Sequence, residues 1–298
     1  MDAPYPPAGP GIFVGLSTLD VVQRIDAFPK PNTKITADWQ SVSGGGPALN
    51  AAVTFAALGG SCTLLTVIGQ GTIADAIRSD LQSHGVLVTD CAEEGTVPAV
   101  SSILLDRSTG DRTVVSVDGT GQTAEVPANL DEELSGAAVV LLDGHHPALA
   151  LAAAAVANRL AIPVVVDAGR WKPVMADLLP LADTVICSSD FRTPGASTPQ
   201  DVLTWLSDRG VKAAAVTAGG SDIIWQQDGK RGTSPVPPVR AVDTLGAGDV
   251  FHGAFCWAAA VQGQGFEEAL VTASRIASMR CSSLGTRAWI EKLHDQQC

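Results

Sequence analysis

Short apolar runs bounded by Gly, Pro, Asp or Ser punctuate the chain from Ile12 onward. Ile12–Leu16 reads as a first buried strand, with Ser17-Thr18-Leu19-Asp20 leaving its carboxyl end. Lys34–Ser43 alternates partially and carries β-branched residues, which predicts a strand or a strand pair. Gly44-Gly45-Gly46 then opens a helix, Pro47 to Leu58, whose proline suits the first turn. Cys62–Ile68 predicts a strand, and Ile73–His84 a helix closed before Gly85. Val100–Leu105 and Arg112–Val117 flank the turn-forming Asp106–Asp111, a β-hairpin signal.

From Val139 the pattern becomes strand–helix alternation. Val139–Leu142, Val164–Val166, Thr184–Ile186, Lys212–Thr217 and Ile223–Gln226 read as strands, with helices at Ala148–Leu160 and Pro199–Arg209. Val250–Val261 is a buried helix by its apolar content, and Phe266–Ser283 a helix with Glu267 and Glu268 in its first turn. The alternation predicts an α/β fold: a central, mostly parallel sheet covered by helices on both faces. Neither an internal repeat nor a clean linker divides it.

Composition narrows the class. A chain of 298 residues with 46% hydrophobic and 17% charged positions has the makeup of a globular protein. A net charge of −12 argues against nucleic acid or an anionic membrane as the partner. The six cysteines are scattered without a C-x-x-C pair, which points to a reducing compartment, and a cytoplasmic location is expected. Residues 1–10 form a Pro-rich leader without signal-peptide character, and the apolar runs are too short to span a bilayer.

Candidate chemistry concentrates at Ala241–Phe255, AVDTLGAGDVFHGAF. Gly246 and Gly248 bracket Ala247 just before a helix, so backbone N–H groups and the positive helix end can converge on an anion. Asp249, set inside that corner, is placed to accept a proton beside the anion, as phosphoryl transfer to a hydroxyl requires. A plainer reading makes Asp243, Thr244 and Asp249 helix caps. Asp20 is a candidate for accepting ligand hydroxyls at a strand end, against a solvated turn acid. Asn50, one turn into its helix, can both donate and accept. His145 and His146 follow a strand and suit substrate contact or plain surface placement; no metal ligand set is visible.

Asp243-Thr244-Leu245-Gly246-Ala247-Gly248-Asp249 resembles the C-terminal D-T-x-G-A-G-D signature of the ribokinase-like (PfkB) carbohydrate kinases. Their N-terminal G-G-x-x-x-N signature is matched by Gly45-Gly46-Pro47-Ala48-Leu49-Asn50, about two hundred residues earlier. The resemblance is closest to ketohexokinase-like and sulfofructose kinase-like members. It implies one ribokinase-like kinase domain over residues 11–298, with lid strands inserted from about 34–43 and 98–118. It implies ATP and Mg2+, with K+ as a further candidate, a small-molecule sugar as substrate, and the lid as a candidate homodimer contact.

Carried over residue by residue, the resemblance makes Asp249 the base and the Gly246, Ala247 and Gly248 backbone the anion hole. Asp20, Gly45, Gly46, Asn50, Lys34 and His145 fall to the sugar. Thr217, Gly219, Gly220, Thr244, Gly246 and Gly248 fall to the nucleotide. Several positions depart from the family. Pro47 replaces an amide of ketohexokinases, Asp222 replaces a late glycine of the T-x-G turn, and His145 stands where a sulfonate-binding arginine is expected. Cys187-Ser188-Ser189-Asp190 lacks the family's N-x-x-E motif, so no residue is assigned to a metal. The expected reaction is transfer of the ATP γ-phosphate to a primary hydroxyl of a fructose-like ketose. Sulfofructose, ribose, a nucleoside or a sugar phosphate remain alternatives, as does a non-catalytic sugar sensor.

Overall fold

The computed structural model describes residues 9–295, so most of the Pro-rich leader and the last three residues lie outside the described part. In chain order the elements are β1 (Gly11–Gly15), β2 (Thr18–Ile25), β3 (Trp39–Gly45), α1 (Pro47–Ala57), β4 (Cys62–Thr66), α2 (Thr72–Ser83) and β5 (Leu87–Asp90). Next come β6 (Ala99–Asp106), β7 (Arg112–Ser116), α3 (Leu130–Leu134), β8 (Val139–Leu142), α4 (Pro147–Arg159), β9 (Val164–Ala168) and α5 (Met175–Leu178). The chain continues through β10 (Thr184–Ser188), α6 (Pro199–Ser207), β11 (Ala213–Ala218), β12 (Ser221–Gln227) and β13 (Lys230–Ser234). It closes with α7 (Ala247–Ala260), α8 (Phe266–Cys281) and α9 (Ala288–Asp295).

Nine strands make the main sheet in the order β13-β12-β11-β10-β9-β8-β1-β4-β5. Pairing is parallel from β11 to β5 and antiparallel for the last two strands, β12 and β13. Central strands such as VVLL in β8 and VVVDA in β9 are buried at every position, the signature of a sheet covered on both faces. One face packs against α1, α2, α7, α8 and α9, the other against α3, α4, α5 and α6.

A second sheet, β3-β2-β6-β7, forms a separate layer closed by a small cluster of Val22, Ile103, Leu105 and Leu245. Here the structure corrects the sequence reading. Thr18-Leu19-Asp20 is the start of β2, not a turn, because the chain leaves β1 and pairs at once with β3 and β6. The strand expected over 34–43 begins only at Trp39, and Lys34 lies in the exposed loop before it. Trp39 packs beside the same small cluster. Apart from β2, five elements with weak or short apolar patterns went unpredicted: the short edge strands β5 and β13, and the helices α3, α5 and α9.

Candidate active site

The loop before α7 is built on a buried ion pair. Asp243, fully buried, pairs with Arg280 at 2.9 Å, and Arg280 also donates to the Ser283 carbonyl at 2.9 Å. Asp243 accepts further bonds from the backbone N–H of Leu245 at 2.9 Å and Gly285 at 3.0 Å. The sequence left Asp243 open as a helix cap; it instead folds the loop onto α8, and α7 has no side-chain cap. Thr244 Oγ1 donates to the Gly110 carbonyl at 3.0 Å and accepts from Arg112 at 3.1 Å, which ties the loop to the β6–β7 turn.

Gly246 has φ 69°, a left-handed conformation that glycine adopts without a Cβ penalty. It turns the chain so that α7 begins with unpaired donors. Val250 N–H is the first to bond within the helix, to the Gly246 carbonyl at 2.9 Å. The Gly248 and Asp249 amides therefore have no helical acceptor, and Ala247 N–H makes only a long 3.3 Å contact to Thr244. Free amides and the positive helix end at this corner are a geometry suited to an anion.

Asp249 lies in that first turn and accepts from Asn50 Nδ2 at 2.8 Å, which joins α7 to α1. Burial and then the nearby Asp167 carboxylate push its pKa up to about 6; the Asn50 bond, His252 and Arg112 pull the other way. Asp20, 5% exposed, accepts from Thr18 Oγ1 at 2.6 Å, and burial raises its pKa against the bonds from Thr18 and Ser101 and the charge of Arg287. A Cβ on Gly45 would stand 2.1 Å from the Asp20 carboxylate, so the glycine leaves the space that the acid fills.

One cavity of about 410 Å³ brings these groups together: Asp20, Gly46, Asn50, His145, Thr217, Gly246, Gly248 and Asp249 all line it. Gly45, Thr244 and Ala247 back it without lining it. Three of the residues assigned from sequence are not brought to it. Lys34 lies in its exposed loop because the lid strand starts five residues later, and Gly219 and Gly220 form an exposed turn between β11 and β12.

The cavity also holds Arg112, a basic lid candidate from the sequence, and residues that the sequence reading passed over, including Asp118, Asp143, Asp167, Arg170, Lys172, Asp190 and His252. A signal for two of them was present, since Asp143 and Asp167 end β8 and β9 at the same sheet edge that drew attention to Asp20. Asp143 accepts from the Leu16, Ala48 and His145 amides at 2.9, 3.2 and 2.8 Å, knitting three loops together. His145 lies between Asp143 and Asp118, at 3.1 and 3.4 Å. Burial disfavours its charge, but the two carboxylates outweigh it and lift the imidazole pKa to about 9. Asp143 is held well below the usual carboxylate range: burial opposes its charge, but His145, then Lys172, overcome that. Arg170 pairs with Asp118, and Lys172 donates to the Asp143 carbonyl at 2.9 Å.

Among the described residues no group of three or more His, Cys, Asp or Glu is disposed to hold a metal ion. The donor set suits a divalent cation that arrives on nucleotide phosphates better than one caged by side chains. No helix among the described residues is long and apolar enough to cross a membrane.

A helix start with free amides, an adjacent buried carboxylate and a second buried acid share one cavity, an arrangement suited to a phosphotransferase with an alcohol acceptor. The family model for pfkB family carbohydrate kinases matches residues 12–293, and the chain belongs to that family. Mouse (Mus musculus) ketohexokinase is 23% identical over 292 residues, covering 91% of this chain and 96% of that protein. Bacillus subtilis ribokinase is 28% identical over 283 residues, covering 92% and 93%. The fold matches Arabidopsis thaliana ribokinase solved with ribose and ATP, with a TM-score of 0.77 at 23% identity over 96% of this chain and 98% of that one. This chain is a sugar kinase of the PfkB/ribokinase type.

Proposed function

We propose that this enzyme transfers the γ-phosphate of ATP to a primary hydroxyl of a ketose, with Asp249 as general base. The observation that carries this reading is the juxtaposition of Asp249 with unpaired helix amides, in the cavity that also holds Asp20. Asp249 takes the hydroxyl proton, and the oxygen attacks the γ-phosphorus in line. The Ala247, Gly248 and Asp249 amides and Arg112 offset charge growing on the transferred group. Magnesium bound to the nucleotide would shield the phosphates; the chain's residues supply orientation and the proton acceptor. Asp20 accepts sugar hydroxyls from the lid side.

Asn50 keeps one amide hydrogen and the second lone pair of its oxygen for the sugar, since one hydrogen goes to Asp249 and one lone pair to Arg287. The sequence view gave it both roles toward the sugar.

An anionic sugar is the second reading. Arg170, Lys172 and a cationic His145 stand against Asp118 and Asp143 at one end of the cavity, so positive groups outnumber carboxylates there. We further read residues 11–298 as one kinase unit acting in the cytoplasm, with the lid sheet as its homodimer contact. ADP release from MgATP across ketoses, aldoses, nucleosides, sulfosugars and phosphosugars, with and without potassium, tests the assignment. Selective turnover of a neutral ketose supports it; selective turnover of a phosphosugar or sulfosugar transfers it to the second reading.

A further inference from the structure

Arg287 stands just ahead of α9, 237 residues from Asn50 in sequence, yet donates Nη1 to Asn50 Oδ1 at 2.9 Å. Its Nη2 donates to the Gly44 carbonyl at 2.9 Å and to Asp80 at 3.0 Å. A guanidinium can only donate, so the Asn50 atom facing it must be the amide oxygen. The Asn50 NH₂ is thereby turned to Asp249, to which it donates at 2.8 Å. Were the amide reversed, its oxygen would face Asp249 and accept a hydrogen bond only from the protonated carboxyl, favouring the neutral acid.

We propose that Arg287 is a positioning residue for the base: by fixing the Asn50 amide, it keeps Asp249 in the ionised, proton-accepting form. The proposal rests on the reading of Asp249 as that base. Arg287 acts through Asn50 and has no bond to Asp249. The charged and titratable groups facing Asp249 are Asp167 from β9, His252 from its own helix and Arg112 from β7; Asn50 faces it from α1. Burial and Asp167 drive the carboxyl toward protonation, and the Asn50 bond is the leading opposition. Its sign depends on which end of the amide is presented. A neutral neighbour thus decides the state of the acid, and a cation behind it decides the neighbour. The Gly44 and Asp80 bonds give Arg287 a second, mechanical part, stapling the glycine loop to α2.

The test is carboxyl titration by ¹³C NMR on the full chain labelled at aspartate Cγ, with Asp249 assigned by loss of its signal in Asp249→Asn. The wild-type midpoint is expected near the value of about 6 set by the surroundings of Asp249. Arg287→Met should move it upward, and Asn50→Ala likewise. The double variant should move it no further than Asn50→Ala alone. Asp80→Asn breaks the staple but spares the Asn50 bond, and should leave the midpoint in place. If the kinase reading holds, Arg287→Met should also lose on the order of tenfold in kcat near neutral pH, the scale of one hydrogen bond to a charged group.

An unmoved midpoint in Arg287→Met, or an equal shift in Asp80→Asn, overturns the proposal. Should Arg287→Met fail to fold, Arg287→Gln removes the charge while keeping a donor for Gly44; an upward shift again supports the idea and an unmoved midpoint overturns it. If the wild-type chain releases no ADP from MgATP with any sugar of the panel, the kinase reading fails, while the titration still decides the orientation of Asn50.

Discussion

Asp249 is held in a state that its surroundings oppose. A carboxyl whose folded pKa is raised from 3.8 to about 6 favours folding while neutral, and that contribution fades as pH rises through about 6. Asp249→Asn should therefore raise the melting temperature at pH 7.5, with the gain disappearing below pH 4, while turnover falls ~10²–10⁴-fold. Differential scanning calorimetry at the two pH values and steady-state ADP release check the pair of outcomes. As the base must be ionised, wild-type kcat should fall as pH drops through about 6. His145 shows the same sign of linkage at higher pH, from its own environment. Its pKa, raised from 6.5 to about 9 by Asp143 and Asp118, adds stability below pH 6.5 that is lost as pH rises through about 9. His145→Gln should flatten that alkaline limb in a pH series of melting curves.

At the scale of elements, the meeting of α1 and α7 sets the distance between the two signature motifs. A Cβ on Gly253 would fall 2.2 Å from the Ala51 carbonyl, so the helices touch backbone to backbone at this point. Gly253→Ala should cost about 1–3 kcal/mol by overpacking, read as an earlier denaturation midpoint, and should lower kcat by spreading Asn50 from Asp249. These helices and the buried central strands were legible because continuous apolar runs such as VVLL have few alternatives. The stretch TLDVVQRI was not, because Asp20 and Thr18 are buried beside a ligand cavity and so break the alternation that marks a strand. β13, reading KRGTS, is a polar edge strand whose pairing with β12 rests on backbone bonds. The glycine turn before α7 and the place of Asp249 in that helix's first turn could be read from local spacing. Arg287 could not, since its role is made by contacts 237 and 243 residues away.

Across the whole molecule, the site is assembled from both chain halves, and its stability rests on buried polar links. The Asp243–Arg280 pair is the deepest of these, with both side chains almost wholly out of solvent. Arg280→Met leaves Asp243 as an uncompensated buried charge and should destabilise by about 3–5 kcal/mol. Chemical denaturation with unchanged m-value would report it. The tie from Thr244 to the Gly110 turn and Arg112 has a different reach. It fastens the small sheet, which carries Asp20 on β2, to the loop that leads into α7. A shift of that sheet on sugar binding would be passed through the tie to the loop before α7. Thermodynamic reciprocity then requires each substrate to tighten the other by an identical factor, and cutting the tie with Thr244→Val would leave two ligands that bind as strangers.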